Sequence, residues 1–398
     1  MNTAAAATRE HAATRPAKAR PTRSPWNRKN PYPATLIENN LLSHPHSDKE
    51  VRHFAFALAD SGLTYEAGDG LNVRPVNDPS LVAALLERLG LPADAPITAR
   101  DGSTMSLEHV LTYNYEISTP SRDLIDEVAI RTADPEIGHV LATGERAAVE
   151  AWLWGKDVLD VLAIDPTLEL AADEFVGLLT PLQHRTYSIS SSPLVHEGVV
   201  HTTVASVRYR HAERTRGGCC STYLADRVGE GTTAGVFIAK NNGFRLPADD
   251  SAPIVMIGPG TGIAPFRAFL HERQARGAAG RNWLFFGDRR RATDFIYEDD
   301  LNSLAADGVL TRLDLAFSRD QAEKIYVQHR MRENGRDLFA WLQEGAYVYV
   351  CGDALRMAKD VDQTLREIVA EHGGLSPDAA DEYVASLRAE KRYLKDVY

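Results

Sequence analysis

The sequence predicts a multi-domain α/β protein, with an antiparallel β-barrel carrying an inserted helical connecting domain, followed by a doubly wound parallel-sheet domain. Three observations predict it. Short β-prone runs bounded by turn residues occupy the chain up to about residue 78 and return after about 180. Between those points apolar residues recur at helical spacing. After Pro253, short apolar runs alternate with helical patterns, as in βαβ units. The expected division is a disordered basic tail over 1–27, the barrel with its insertion (about 78–180) over 28–250, and the parallel-sheet domain over 251–398.

In the barrel, Tyr32–Ile37, Val51–Leu58 and Leu71–Val73 read as strands, separated by turn signals such as Tyr65–Gly70. The insertion places Leu81–Leu89 and Val158–Leu162 on helix faces. Strands resume at Arg185–Ser190, Val199–Tyr209 and Gly235–Ile238. The last domain offers four apolar strands, Ile254–Ile257, Trp283–Phe286, Thr311–Phe317 and Ala346–Val350.

The 398 residues suffice for two or three domains, and a net charge of −11 argues against a nucleic-acid partner. No apolar run approaches the roughly 20 residues of a membrane span. The three cysteines, Cys219, Cys220 and Cys351, have no zinc or iron–sulfur spacing, so no metal is expected. The adjacent pair is a poor disulfide geometry, and a reducing, cytoplasmic setting fits best. Within the first 27 residues Arg9, Arg15, Lys18, Arg20 and Arg23, continued by Arg28 and Lys29, make a basic segment. It reads as a disordered tail, a docking arm or a transit segment, and without an apolar core it is no secretory signal.

Arg185-Thr-Tyr-Ser-Ile-Ser-Ser-Ser-Pro193 is the run richest in chemistry. A guanidinium binds pyrophosphate oxygens in bidentate fashion, a flat ring matches an isoalloxazine, and a small hydroxyl suits its reactive nitrogen. Arg185, Tyr187 and Ser188 supply these in order, with Thr186 between them. An ordinary edge strand has the same composition. On a straight strand Ser188 faces away from Arg185 and Tyr187, so a flavin site here needs a local bend. Gly217-Gly-Cys-Cys-Ser221 reads as a glycine turn opening a helix, either a second phosphate cradle or a simple cap.

Gly258-Pro-Gly-Thr-Gly-Ile-Ala-Pro-Phe-Arg267 follows a strand and opens a helix, so its backbone amides can approach a pyrophosphate. Gly260 and Thr261 are the candidate contacts; a tight strand-to-helix turn is the plainer reading. Ser318, Arg319, Lys324 and Tyr326 follow a sheet strand and together favour a 2′-phosphate, hence NADPH over NADH, although each alone is an ordinary surface residue. Cys351 ends another strand and is either a small core residue or part of the ligand crevice. The terminal Tyr398 is either a frayed end or a lid.

With these motifs in this order, the chain resembles the ferredoxin–NADP reductase superfamily. Within it, the chain is similar to the FAD/NADPH half of the diflavin reductases, on the side of the NADPH–sulfite reductase flavoprotein components. The resemblance covers about Asn30 to Tyr398. It implies FAD and NADPH as cofactors. Arg185 would bind FAD phosphate, Tyr187 stack on the flavin and Ser188 bond near its reactive nitrogen. Thr203, Val204, Ala205 and Tyr209 would lie along FAD, with Gly218, Cys219, Cys220 and Ser221 at its pyrophosphate and Ser118 reaching in from the insertion. Ser318, Arg319, Lys324, Ile325, Tyr326, Val327, Gln328 and Asp360 would hold NADPH. Ser188, Cys351 and Asp396 would form the hydride-transfer cluster under a movable Tyr398.

The implied function is an NADPH-dependent flavoprotein reductase that hands electrons to a separate acceptor protein. That acceptor is the hemoprotein of sulfite reductase, in assimilatory sulfite reduction for cysteine biosynthesis, or else a flavodoxin- or ferredoxin-like carrier. A non-catalytic flavin-binding docking subunit is the rival from another class. Two departures stand out. The related components usually begin with a flavodoxin-like FMN domain, and here a short basic tail stands in its place, so an FMN step is expected to be missing or supplied in trans. Cys219-Cys220 replaces smaller residues, which adds an expected reactive thiol near the flavin.

Overall fold

The computed structural model describes residues 24–98 and 102–398, so the basic segment up to residue 23 lies outside the described residues. The chain is anchored from Trp26, whose indole donates to the Ser61 carbonyl (2.7 Å) and meets Tyr32 edge-on.

The first half contains β1 (Tyr32–Leu41), β2 (Glu50–Ala57) and β3 (Gly70–Arg74), then a ribbon of β4 (Pro96–Thr98) and β5 (Thr104–Ser106). It continues with β6 (Arg185–Ser188), β7 (Val199–Ser206), the hairpin β8 (Arg208–His211) and β9 (Arg214–Gly217), and β10 (Thr233–Ala239). Six of these strands pair antiparallel in the order β6-β3-β10-β1-β2-β7, and an Ile189–Thr202 bridge joins the two outer edges into a barrel. Alternate residues point inward, burying Leu36, Phe54, Phe56, Leu71, Val73, Val200 and Val204.

The run Val199–Tyr209 is not one strand. It leaves the barrel after Ser206 because the Val207 amide donates to Ser221 Oγ (3.1 Å) and its carbonyl accepts from the Gly218 amide (2.9 Å). The glycine turn thus takes over the backbone groups that a longer strand needs.

The insertion is a set of short helices from Pro79–Leu89 to Ala172–Gly177, plus the unpredicted β4–β5 ribbon. Side chains of Asp78, Ser106, Ser121 and Asp134 accept first-turn amides, which lets helices this short terminate cleanly. Their apolar faces make a separate core around Leu85, Leu107, Val110, Leu124 and Phe175. Arg214 and Arg216 of β9 tie this block to the barrel through Asp157 and Asp160, at 2.6–2.7 Å.

The second half is a parallel sheet of β11 (Ile254–Ile257), β12 (Asn282–Asp288), β13 (Arg312–Phe317), β14 (Tyr347–Gly352) and β15 (Tyr393–Val397). The order is β13-β12-β11-β14-β15. Both faces are covered. Val255, Ile257, Trp283, Phe285, Val348 and Val350 pack into one core, and Ile254, Met256, Leu284, Phe286, Tyr349 and Cys351 into the other. The sequence showed four of these strands. β15 escaped because Tyr-Leu-Lys-Asp-Val is short and charged and fully buries only Tyr393.

The halves meet along the outer faces of β2 and β7. Thr203 Oγ1 and His53 Nδ1 both bond the Tyr297 hydroxyl (2.7 and 2.8 Å), and Arg267 donates to the Ser190 carbonyl (2.8 Å). Four histidine rings continue the contact, His53 to His201 to His196 to His271, at centroid distances of 4.7, 4.4 and 5.3 Å. No helix among the described residues is long and apolar enough to cross a membrane.

Candidate active site

Strand order in the parallel sheet reverses between β11 and β14, and ligands of such sheets bind at the carboxyl ends of that pair. The glycine run leaves β11 at this point. A Cβ on Gly262 would lie 2.2 Å from the Cys351 carbonyl oxygen, and one on Gly258 would lie 2.4 Å from the Phe266 ring. Gly260 has φ +59°. Glycine is therefore required for the close approach that starts the helix Ala264–Arg276 beside the end of β14. Gly260 also lines a cavity of about 480 Å³ with Ser318, Tyr326, Val327, Gln328 and Asp360, joined by Lys49, Arg289 and Arg356. Gln328 Nε2 donates to Asp360 (3.1 Å).

At the mouth of the same crevice the two halves share a polar cluster. β14–β15 register sets Cys351 opposite Asp396. Ser188 Oγ donates to Asp396 Oδ2 (2.8 Å), Cys351 Sγ lies 3.9 Å from that oxygen, and Asn241 Nδ2 donates to Oδ1 (3.2 Å). Burial, then the neighbouring carboxylate, pushes the Cys351 thiol well above its ordinary range, so it stands as a neutral SH group. Cys351 is a buried core residue, and its sulfur also touches Asp396.

Asn241 is positioned by buried Asp69, which accepts from its amide (3.0 Å), from the Glu66 amide (2.9 Å), from Lys240 (3.0 Å) and from Arg245. Burial alone would raise the Asp69 carboxyl, but these donors outweigh it and hold the group below its ordinary value. The Tyr65–Gly70 turn thus reaches the site. Tyr398 is 63% exposed, yet its amide donates to the Gly352 carbonyl (3.1 Å) and its hydroxyl meets Thr261 Oγ1 (2.9 Å). The chain end is a fastened strand terminus rather than a frayed tail.

On the barrel side, Arg185 pairs with Glu116 of the insertion (3.0 Å), and Glu116 also accepts the Ser118 amide (2.9 Å). Ser118, Tyr209, Gly217, Cys219 and Arg216 line a cavity of about 340 Å³. A Cβ on Gly218 would lie 2.6 Å from Ser221 Oγ and 3.0 Å from Val207 Cβ, so a side chain here would have to displace the Ser221 hydroxyl. Tyr187 is half-buried against the barrel core, and Thr186 donates to Asn72 (2.6 Å).

Several expected residues are not brought to a cavity. Val204 is in the barrel core, Thr203 is turned to Tyr297, and Ala205 is exposed on that outer face. Ile325 and Val327 pack against the sheet core, although Val327 also borders the 480 Å³ cavity. Lys324 is exposed outside the cavity lining, and Arg319 pairs with Asp48 of the barrel (2.8 Å). The expected reactive thiol is corrected. Cys219 and Cys220 are buried, and burial pushes them up to about 11 and about 12, so neither is a thiolate at neutral pH.

Sequence reasoning missed Lys49, Glu116, Asn241, Arg289 and Arg356. Each stands in a loop or beside a strand end, where periodicity gives no signal. Only Arg289, in the run Asp288-Arg-Arg-Arg291 after a strand, offered one.

Residues 24–223 match the family model described as FAD binding domain, and residues 256–363 match the oxidoreductase NAD-binding domain. The chain is 45% identical over 375 residues to the sulfite reductase [NADPH] flavoprotein alpha-component of Cronobacter sakazakii, covering 94% of this chain and 62% of that protein. The Bacillus subtilis protein of the same name is 43% identical over 389 residues (97% and 64%), and that of Escherichia coli K12 is 44% identical over 375 (94% and 62%). The chain therefore spans less than two thirds of the length of these relatives. With one family model covering half the chain and the other lying over the parallel sheet, the chain belongs to the FAD-binding-domain family and is an oxidoreductase with an FAD-binding and a nicotinamide-dinucleotide-binding domain.

Proposed function

We propose that the chain takes hydride from NADPH onto FAD and passes the electrons to a separate protein, the hemoprotein of an assimilatory sulfite reductase, in the cytoplasm. The observation that carries this reading is the cluster in which Ser188 of the barrel meets Asp396 and Cys351 of the sheet at its switch point. FAD, when bound, supplies a two-electron acceptor that can release electrons singly. The chain's own residues bind and orient. Arg185 and the turn Gly218–Ser221 hold phosphate, and Tyr187 offers its ring. Arg319, Ser318, Tyr326, Gln328 and Asp360 hold the adenosine end of NADPH. Ser188, Asn241 and Asp396 fix the hydrogen-bonding edge of the site, while the neutral Cys351 excludes water beneath it. Tyr398, tethered through Thr261, moves aside to admit the nicotinamide. The units are a flavin-binding one over 28–250 and a nicotinamide-binding one over 251–398.

The test is anaerobic mixing of the FAD-loaded protein with NADPH, followed by addition of purified sulfite reductase hemoprotein or of flavodoxin. Rapid bleaching followed by reoxidation with the hemoprotein is expected. Bleaching with reoxidation only by flavodoxin would make the chain a general carrier reductase. A flavin that NADPH leaves yellow would make it a docking subunit.

A further inference from the structure

The loop between β1 and β2 leaves the barrel and crosses to the parallel sheet. The His44 amide donates to the Thr293 carbonyl (2.8 Å), Ser47 donates to Asp294, and Lys49 pairs with Asp288 (2.5 Å). Between these fasteners Asp48 turns one carboxylate oxygen into three guanidiniums of the other half, Arg319 at 2.8 Å, Arg290 at 3.3 Å and Arg289 at 3.9 Å. Among the described residues none of the three arginines has another carboxylate within ion-pair distance. One carboxylate thus faces three cations. The cluster adjoins the nucleotide cavity, because Arg289 lines that cavity together with Ser318.

We propose that Asp48 is an internal stand-in for the 2′-phosphate of NADPH, occupying the arginine cluster until the nucleotide displaces it. This rests on the reading of Arg319 as a ligand of that phosphate. Guanidinium binds carboxylate and phosphate with the same fork geometry, and a phosphate monoester brings more charge and a third oxygen. The incoming group therefore wins, but against a competitor already in place. Asp48 is 50% exposed and Arg319 42%, so the exchange needs no buried charge to be uncovered. The consequence is a brake on affinity: the nucleotide's 2′-phosphate is held less tightly than three arginines alone would hold it, which favours its release. A nucleotide with a plain 2′-hydroxyl has no group to exchange and leaves Asp48 in place.

The test is calorimetric titration of the FAD-loaded full chain with 2′,5′-ADP and with 5′-AMP. Asp48→Asn is expected to bind 2′,5′-ADP roughly two- to five-fold more tightly than the parent, the upper part of the span that exposed charge pairs cover. Its affinity for 5′-AMP should stay unchanged, and Asp48→Glu should match the parent. The three remaining fasteners keep the loop in place, and Asp48→Ser, a second variant without the carboxylate, should match Asp48→Asn. Unchanged or weaker binding of 2′,5′-ADP by both neutral variants overturns the proposal. Arg319→Ala separates the two readings. If it loses the preference for 2′,5′-ADP over 5′-AMP while Asp48→Asn changes nothing, only the role of Asp48 falls. If it keeps that preference in full, the phosphate site itself lies elsewhere.

Discussion

Ser188 donates a 2.8 Å hydrogen bond to Asp396, 208 residues further along the chain, and so joins the barrel to the last strand of the parallel sheet. Neither residue makes a site alone. Ser188 belongs to the short strand β6, and Asp396 to a strand that the rest of the sheet must hold in register. The bond means that this pairing exists only when the two halves are docked.

Replacing both partners, as Ser188→Ala with Asp396→Ala, should leave FAD bound but slow flavin reduction by NADPH on the order of 100-fold, the scale on which preorganised hydrogen bonds act at reacting centres. Anaerobic stopped-flow absorbance reads this directly. Reduction at parental speed would remove the cluster from the hydride step.

Gly262→Ala should be costly although its new methyl group is small. The Cβ would fall 2.2 Å from the Cys351 carbonyl, which is backbone and cannot rotate away. Overpacking of this kind costs about 1–3 kcal/mol, here by prying β14 from the glycine turn. Thermal unfolding should show a lowered Tm, and calorimetry a weakened 2′,5′-ADP complex. An unchanged Tm would mean that the turn has more room than it shows.

Asp362 is a positioning residue for Asp396. From the helix Met357–Gly373 it accepts from Lys395 (2.8 Å), the Tyr393 hydroxyl (3.0 Å), Arg366 (3.0 Å) and Arg388, pinning β15. Burial alone would raise its carboxyl, but Lys395 and Arg388 outweigh burial and hold it ionised. Asp362→Ala should cost on the order of 1–2 kcal/mol, because Lys395, Arg388 and the Tyr393 hydroxyl lose this partner while Arg366 keeps Asp381. It should also slow flavin reduction while leaving 2′,5′-ADP affinity intact. Equal loss of both would point to general unfolding instead.

Acid should weaken the contact between the halves before it titrates carboxylates. Burial pushes His53 from 6.5 down to about 4 and His201 to about 2, with Arg267 and neighbouring histidines acting in the same direction. His196 is lowered by burial as well, and Asp300 opposes the trend at His53 and His196. These rings stay neutral in the fold while the unfolded chain takes up protons near pH 6.5. Their contribution is full above that value; the share of His53, on the order of 3 kcal/mol, is lost as pH falls toward 4, and that of His201 goes on being lost below it. Tm measured from pH 7.5 to 4 should fall across this window, and His53→Gln with His201→Gln should flatten the slope. A Tm constant to pH 4 would contradict the buried neutral state.

The strands and the order of the motifs were legible in the amino-acid pattern because their signals are local. Alternation marks β1, β2 and β3, a glycine run directly after Ile254–Ile257 marks a strand-to-helix turn, and Arg185–Ser188 carries its chemistry within four residues. Nothing local reveals that Ile189 bridges Thr202 to close the barrel, that Tyr393–Val397 is a fifth strand, or that Glu116 meets Arg185, Asn241 meets Asp396 and Asp48 meets Arg319. Those pairs join single residues tens to hundreds of positions apart, whose meeting depends on how whole layers dock. Thr203 and Val204 show the boundary well. Their place on a strand follows from alternation, but which of them faces the core and which faces Tyr297 depends on pairing with β2 and on the sheet packed behind it.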